Sequence, residues 1–228
     1  MIRFKLLISF ITPLIFAAIE VILSGSWHWL NVWIEIVMFL TAIYSVMVYC
    51  RNNFYTKKEF FYFLSSRRER GYSKKEYRLS YFIFIILIIW WIVIPLDGNR
   101  FMLLKQFSIG MNVLGGIISI MSIMIFYIGI RELMDLMKNN IFSKMMVNNL
   151  PEYRLHEVVR FPVHASIILF LLGSSLLMNS QIGFLLSIII IVIASNLVKI
   201  EDKRRCKEFL YYDEYSKNVK YLIIPYVY

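Results

Sequence analysis

The chain has 228 residues, of which 59% are hydrophobic, and its mean hydropathy is +0.64. These values exceed those of soluble globular domains and indicate an integral membrane protein. The formal net charge is +10, but the basic residues lie between apolar segments and follow no nucleic-acid-binding motif, so nucleic acid is not an expected partner. The two cysteines lie beside basic segments, and we expect neither a disulfide framework nor a metal site.

Six stretches approach the length of about 20 mostly apolar residues that a membrane-spanning helix needs. In chain order they are Leu6 to Leu23, Trp29 to Cys50, Ser80 to Leu96, Ser108 to Ile130, Phe161 to Met178 and Ile182 to Val198. The first follows a basic start like that of a signal peptide, but no small-residue cleavage site follows, so we interpret it as a span. The last two are separated only by Asn179 to Gln181, which predicts an antiparallel helical hairpin.

The distribution of charge predicts the orientation of these spans. With the N-terminus in the cytoplasm, 23 of the 25 lysines and arginines lie on the cytoplasmic side, and Arg100 and Lys105 lie on the other. Basic residues accumulate on the cytoplasmic side of membrane proteins. We therefore predict an all-helical, multi-pass bundle of six spans with both termini inside, in a bacterial-type cell membrane. Residues 1–79 would form a two-span segment with a basic loop, and residues 80–228 the main membrane domain.

Features along the first four spans have structural interpretations. Glu20 and Glu35 fall within spans, where a carboxylate usually needs a polar partner, a water-filled cavity or a helix end, and we favour structural or interfacial roles over functional ones for both. The loop from Arg51 to Leu79 interleaves aromatic and basic residues, which favours a helix on the anionic inner leaflet over a solvated linker. The fourth span carries small residues that permit close helix approach: Ser108, Gly110, Gly115, Gly116, Ser119, Ser122 and Gly129.

Polar residues that flank the final hairpin are candidates for a binding site. Arg160 precedes the hairpin and Glu201 and Asp202 follow it, so the three belong to the same side of the membrane. The planar, permanently charged guanidinium suits a carboxylate, and the acidic side chains suit hydroxyls, an amine or a cation. A ligand with a carboxylate, an amine, ribose hydroxyls and a sulfonium would use both. The alternatives are a positively charged flank at Arg160 and a solvated helix at Glu201 and Asp202.

The stretch Val158 to His164 resembles the R-H-P-x-Y signature of the isoprenylcysteine carboxyl methyltransferase family, which is related to the membrane phospholipid methyltransferases. Further similarities follow in order: the helix with Gly173, Leu176, Leu177 and Ser180, then the E-E pair at Glu201-Asp202, the G-Y-x-x-Y element at Tyr211 to Tyr215, and V-x-Y-R-L-I-P at Val219 to Pro225. Weaker similarities to the family precede the signature, at Leu96-Asp97, Arg100-Phe101 and Asn140 to Ser143. The resemblance covers about residues 96–228.

The resemblance implies a membrane enzyme that uses S-adenosylmethionine in a cytoplasmic pocket. A lipophilic acceptor, such as an isoprenylcysteine-type carboxylate or a lipid-like small molecule, would enter from the bilayer. Carried over by position, Arg160 and Glu201 would act in catalysis, and the cofactor pocket would be lined by Asn140, Arg160, Pro162, His164, Glu201, Asp202 and Tyr212. Since sulfonium is an activated leaving group, the protein would contribute mainly orientation.

Two signature positions differ, since Phe161 replaces the histidine and His164 the tyrosine. From helix geometry we expect His164 to lie on a different face from Phe161. A second interpretation is therefore a non-catalytic family member that binds lipids or a partner in the membrane. A small transporter or channel is a third, although no inverted repeat is visible. The small-residue faces serve packing within or between chains equally, which leaves the oligomeric state open.

Overall fold

The computed structural model describes residues 15, 17–53, 73–104, 106–138, 154–208 and 210–225. Their helices are α1 (residues 17–24), α2 (Leu30–Asn53), α3 (Lys74–Pro95) continued by a π-helix (Leu96–Phe101), α4 (Ile109–Lys138), α5 (Arg154–Val158), α6 (Pro162–Leu177), α7 (Gln181–Glu208) and α8 (Leu210–Asn218). The predicted all-helical fold is confirmed for these residues. Asn140 and most of the basic loop, residues 54–72, lie outside them.

Three helical stretches are long and apolar enough to cross a membrane, namely Lys74–Phe101, Ile109–Glu132 and Gln181–Lys207. Two shorter apolar helices, Leu30–Ala42 and Pro162–Leu177, accompany them. Large hydrophobic side chains are exposed along α3, α4 and α7. In water such surfaces would be unfavourable, whereas lipid accommodates them.

Two helices continue beyond the spans that hydropathy predicts. Hydropathy predicts that the fourth span ends at Ile130, but α4 reaches Lys138; it predicts that the sixth ends at Val198, but α7 reaches Glu208. Hydropathy marks where a helix leaves lipid, whereas Lys, Arg and Glu are good helix formers that continue the backbone hydrogen bonding. The extension of α7 carries Glu201 and Asp202 and therefore positions the candidate site.

The contact between α4 and α6 is the most extensive helix pair among the described residues. It depends on small residues. A Cβ atom at Gly173 would lie 2.6 Å from the Ser119 hydroxyl oxygen and 2.8 Å from its backbone nitrogen, and one at Gly115 would lie 2.5 Å from the Leu177 nitrogen. The predicted close approach through small residues is thus confirmed.

Some polar side chains inside the bundle form hydrogen bonds with one another. The indole N–H of Trp90 donates to the hydroxyls of Ser187 (2.7 Å) and Ser175 (3.2 Å), which joins α3 to α6 and α7. Glu35 is buried on α2 and accepts a hydrogen bond from the Ser174 hydroxyl of α6. Buried polar groups are costly unless they are paired in this way. These contacts agree with a structural role for Glu35.

The α6–α7 hairpin is antiparallel, as predicted. Asn179 adopts a left-handed backbone conformation at its turn, with φ of 59°. Asp97 of the π-helix accepts hydrogen bonds from the Ser180 hydroxyl (2.8 Å) and from the Ile182 N–H (3.1 Å). Away from the turn, the start of α6 lies beside the charged part of α7: Phe161 packs with Val198, and Arg160 pairs with Asp202.

The charged end of α7 is also tied to the start of α3. Glu76 is buried in a capping box with Ser73, and its carboxylate accepts a hydrogen bond from the Arg204 side chain at 3.0 Å. The ion pair fixes the extension of α7 outside its apolar part. Asp202 and Arg205 therefore project from a helix that is held at both ends.

Candidate functional site

The site is built around the chain entry into α6. Pro162 is the first helical residue, where its missing N–H costs no helical hydrogen bond and its fixed φ favours the helix. The backbone N–H groups of Arg160 and Phe161 donate to the carbonyls of Tyr221 and Leu222, each at 3.0 Å. The C-terminal tail thus runs beside the entry, and Val159 and Tyr221 form a parallel bridge.

The Arg160 side chain holds three parts of the protein together. Its Nη1 group donates to Asp202 on α7 at 2.8 Å, and its Nε group donates to the Val219 carbonyl at 2.7 Å. Its Nη2 group donates to the Ser216 carbonyl on α8. Arginine suits this position because its planar fork directs several N–H groups at once.

Asp202 also binds Tyr212. The Tyr212 hydroxyl donates to Oδ1 of Asp202 at 2.7 Å, while Oδ2 receives Arg160. Burial raises the pKa of Tyr212 above its ordinary value, and the neighbouring Asp202 carboxylate raises it further. Tyr212 therefore stays protonated at neutral pH and acts as a donor. The structure brings Arg160, Asp202 and Tyr212 into one cluster.

Glu201 joins this cluster through a residue that we had not predicted to take part. Its carboxylate pairs with Arg205, one turn later on α7, at 2.5 Å. The Arg205 guanidinium carbon lies 5.1 Å from the ring centre of Phe161 and 5.7 Å from that of Tyr212, within the range of a cation–π contact. The spacing of four residues between Glu201 and Arg205 was the available signal for this pair.

The prediction that Phe161 and His164 lie on different helix faces is wrong. Their rings meet edge to face, with centres 5.4 Å apart. Phe161 is the residue before the first helical turn and His164 comes three residues later, a spacing that puts side chains beside each other. Phe161 is only 4% exposed, and its ring packs with Ile168, Val198 and Ile223 as well as against the Arg205 guanidinium.

The cluster retains hydrogen-bonding groups that its internal contacts do not use. A guanidinium has five N–H groups, and three of those on Arg160 donate to other groups in the described part of the chain, which leaves two that could donate to a carboxylate. Each carboxylate oxygen of Asp202 accepts one hydrogen bond and has a further lone pair for an amine or a hydroxyl. Pro162 offers no side-chain polar group and is buried. Asn140 lies outside the described residues.

A second polar cluster lies beside the first, and no sequence pattern predicted it. Nδ1 of His156 on α5 lies 2.8 Å from a carboxylate oxygen of Glu132 on α4. The Tyr215 hydroxyl donates to the His156 carbonyl at 2.6 Å. Burial lowers the pKa of His156, a shift that Glu132 opposes and Arg205 reinforces. The Tyr215 and Tyr212 rings are 5.6 Å apart, which connects the two clusters.

The chain matches no family model, and no curated protein and no solved structure matches it. Any functional interpretation therefore depends on the residues and their geometry.

Proposed function

We propose that this protein is a multi-pass membrane methyltransferase that transfers a methyl group from S-adenosylmethionine to a lipophilic acceptor. One observation carries the proposal: Arg160, Asp202 and Tyr212, which the motif similarity assigned to cofactor binding, form one hydrogen-bonded cluster at the open end of the α6–α7 hairpin. These residues are separated by up to 52 positions in the sequence, so their convergence depends on the fold.

Each residue has a role that follows from its chemistry. The two remaining N–H groups of Arg160 would bind the cofactor carboxylate, and Asp202 with Glu201 would bind its amine and ribose hydroxyls. Tyr212 would orient Asp202, and Pro162 would fix the entry of α6. When bound, the cofactor supplies a methyl group on an activated sulfonium. The protein then contributes orientation, which can lower a barrier by several kcal/mol.

The proposal includes six spans with the cluster on the cytoplasmic side. Its support is the positive charge at this end of the bundle, where the extension of α7 carries Lys203, Arg204, Arg205 and Lys207. The exposed apolar side chains of α3, α4 and α7 would face lipid, and a lipophilic acceptor would diffuse along this surface. Membrane lipids would surround the bundle, and the acceptor would reach the cluster from among them.

A second candidate is a non-catalytic membrane protein that binds a lipid or a protein partner. It is favoured by the hydrogen bonds that the Arg160 side chain donates within the protein, to Asp202 and to the carbonyls of Ser216 and Val219. Phe161, buried where the signature has histidine, favours it too. In this candidate the cluster fastens the C-terminal tail to the bundle and has no ligand.

The enzymatic proposal is tested with membranes that contain the full chain and S-adenosylmethionine labelled on its methyl group. Label is counted in the organic extract. We expect wild-type membranes to transfer more label to the extract than membranes without the protein. Asp202→Asn should lower methyl transfer about 100-fold, the effect that a small misplacement of the reacting groups can have. Glu157→Gln, at an exposed carboxylate near the site, should retain the wild-type rate. Equal label in membranes with and without the protein would favour the second candidate.

A further inference from the structure

The pair formed by His156 and Glu132 has the geometry of an oriented general base. Its Nδ1 to carboxylate distance is 2.8 Å, and the other Glu132 oxygen accepts the Leu155 N–H at 3.4 Å. We infer that His156, oriented by Glu132, removes a proton from the methyl acceptor, and that the acceptor is an amine or a hydroxyl compound instead of a carboxylate. This inference rests on the proposed function.

The pairing determines which nitrogen of His156 is basic. An ionised carboxylate only accepts hydrogen bonds, so the proton of the neutral ring lies on Nδ1 and the lone pair lies on Nε2. Within the described residues, no hydrogen bond to Nε2 is present. Because burial lowers the pKa of His156 below its ordinary 6.5, the ring is neutral at pH 7 and can accept a proton. A base held by a third group is the arrangement of catalytic triads.

The pair lies beside the proposed cofactor cluster. His156 precedes Arg160 by four residues, and its carbonyl accepts the Tyr215 hydroxyl at 2.6 Å. The charged and titratable groups around it come from three helices: Glu132 from α4, Arg205 from α7 and Tyr215 from α8. Arg205 also contacts the Tyr212 ring, which is bonded to Asp202.

A base at this position discriminates between acceptors. A carboxylate is already ionised at neutral pH, so it gains nothing from a base. An ammonium or a hydroxyl must lose a proton before or during attack. That proton would move to Nε2 of His156, where the Glu132 carboxylate stabilises the imidazolium. The freed electron pair would form the bond to the methyl carbon, while the methyl–sulfur bond would break with its electrons moving to sulfur.

The first test needs no cofactor. The chain has three histidines, so nitrogen NMR of the ring-labelled, detergent-solubilised protein can resolve each one. We expect His156 to be neutral at pH 7 with its proton on Nδ1, and to titrate below pH 6.5. Glu132→Gln should lower that midpoint further, because the carboxylate raises the pKa of His156. A ring that is charged at pH 7, or protonated on Nε2, would overturn the inference.

The second test compares three probe acceptors: dodecylamine, 4-dodecylphenol and N-acetyl-S-farnesylcysteine. We expect methyl transfer to the amine or the phenol, with kcat falling about 100-fold in His156→Gln and no change in binding of S-adenosylmethionine. The acid limb of the wild-type kcat profile should disappear in this variant, which loss of packing alone would not cause. His28→Gln, at an exposed histidine elsewhere, should behave as wild type.

The outcomes separate the two proposals. Transfer only to the farnesylcysteine carboxylate, or undiminished transfer by His156→Gln, refutes the base while the methyltransferase proposal stands. Cofactor binding without transfer to any of the three probes also refutes the assigned acceptor class. If a folded wild-type sample does not bind S-adenosylmethionine, the proposed function itself fails and the inference fails with it.

Discussion

Replacing Arg160 should release the C-terminal tail from the bundle. In Arg160→Ala, the Asp202 carboxylate loses its cation in a site where the two side chains are only 14% and 13% exposed. Breaking a buried ion pair costs about 3–5 kcal/mol. Because this pair is not fully buried, we take the lower end, about 3 kcal/mol, which raises the undocked fraction of the tail about 150-fold. Arg160→Lys keeps the charge but loses the planar fork, so we expect the undocked fraction of the tail to rise about tenfold.

Hydrogen–deuterium exchange of the detergent-solubilised chain measures this release. The backbone N–H groups of Arg160 and Phe161 donate to the tail, so their exchange rates report its undocking. Lys217→Ala is the matched control, because the pair of Lys217 with Asp213 is an exposed contact on α8 worth less than about 1 kcal/mol. If exchange in Arg160→Ala rises no more than in Lys217→Ala, then Arg160 does not hold the tail and our account of the cluster is wrong.

Three further substitutions test the packing that positions the site. Gly173→Leu should separate α4 from α6 and lower the Tm strongly, whereas Gly116→Ala, whose added Cβ would lie 3.6 Å from its nearest neighbour, should change the Tm little in the same melting assay. Asp97→Ala removes the carboxylate oxygen that accepts two hydrogen bonds at the hairpin turn, and chemical unfolding in detergent should show a free energy of unfolding lower by about 1–3 kcal/mol. Glu76→Ala removes the carboxylate that accepts the Arg204 side chain and caps the start of α3, so proteolysis near the start of α3 should accelerate severalfold; an unchanged cleavage rate would contradict this role.

Several structural features follow directly from the sequence pattern. The apolar stretches mark three of the long helices, and the brief interruption at Asn179 requires the antiparallel hairpin. Arg160 precedes that hairpin and Asp202 follows it. Because an antiparallel hairpin returns the chain to the side of the membrane where it entered, the two residues are predicted to lie on the same side. The small residues of the fourth span likewise predict the close contact with α6.

Other features depend on contacts that no local pattern encodes. Two of the three groups that Arg160 binds are backbone carbonyls, which carry no side-chain signature. The partners His156 and Glu132 are 24 residues apart on different helices, so only the fold reveals their pairing. The ends of α4 and α7 were missed because hydropathy reports the edge of lipid and not the end of a helix.

Isothermal titration of the purified full chain with S-adenosylmethionine tests the central claim most directly. We predict saturable binding in the micromolar range for the wild type, which Glu201→Gln weakens at least about tenfold because a charged partner of the ligand is lost. Glu157→Gln, measured in parallel, should bind as the wild type does. Heat changes that stay at the level of dilution, from a sample with the melting profile of a folded helical protein, would contradict the claim and favour the non-catalytic membrane protein.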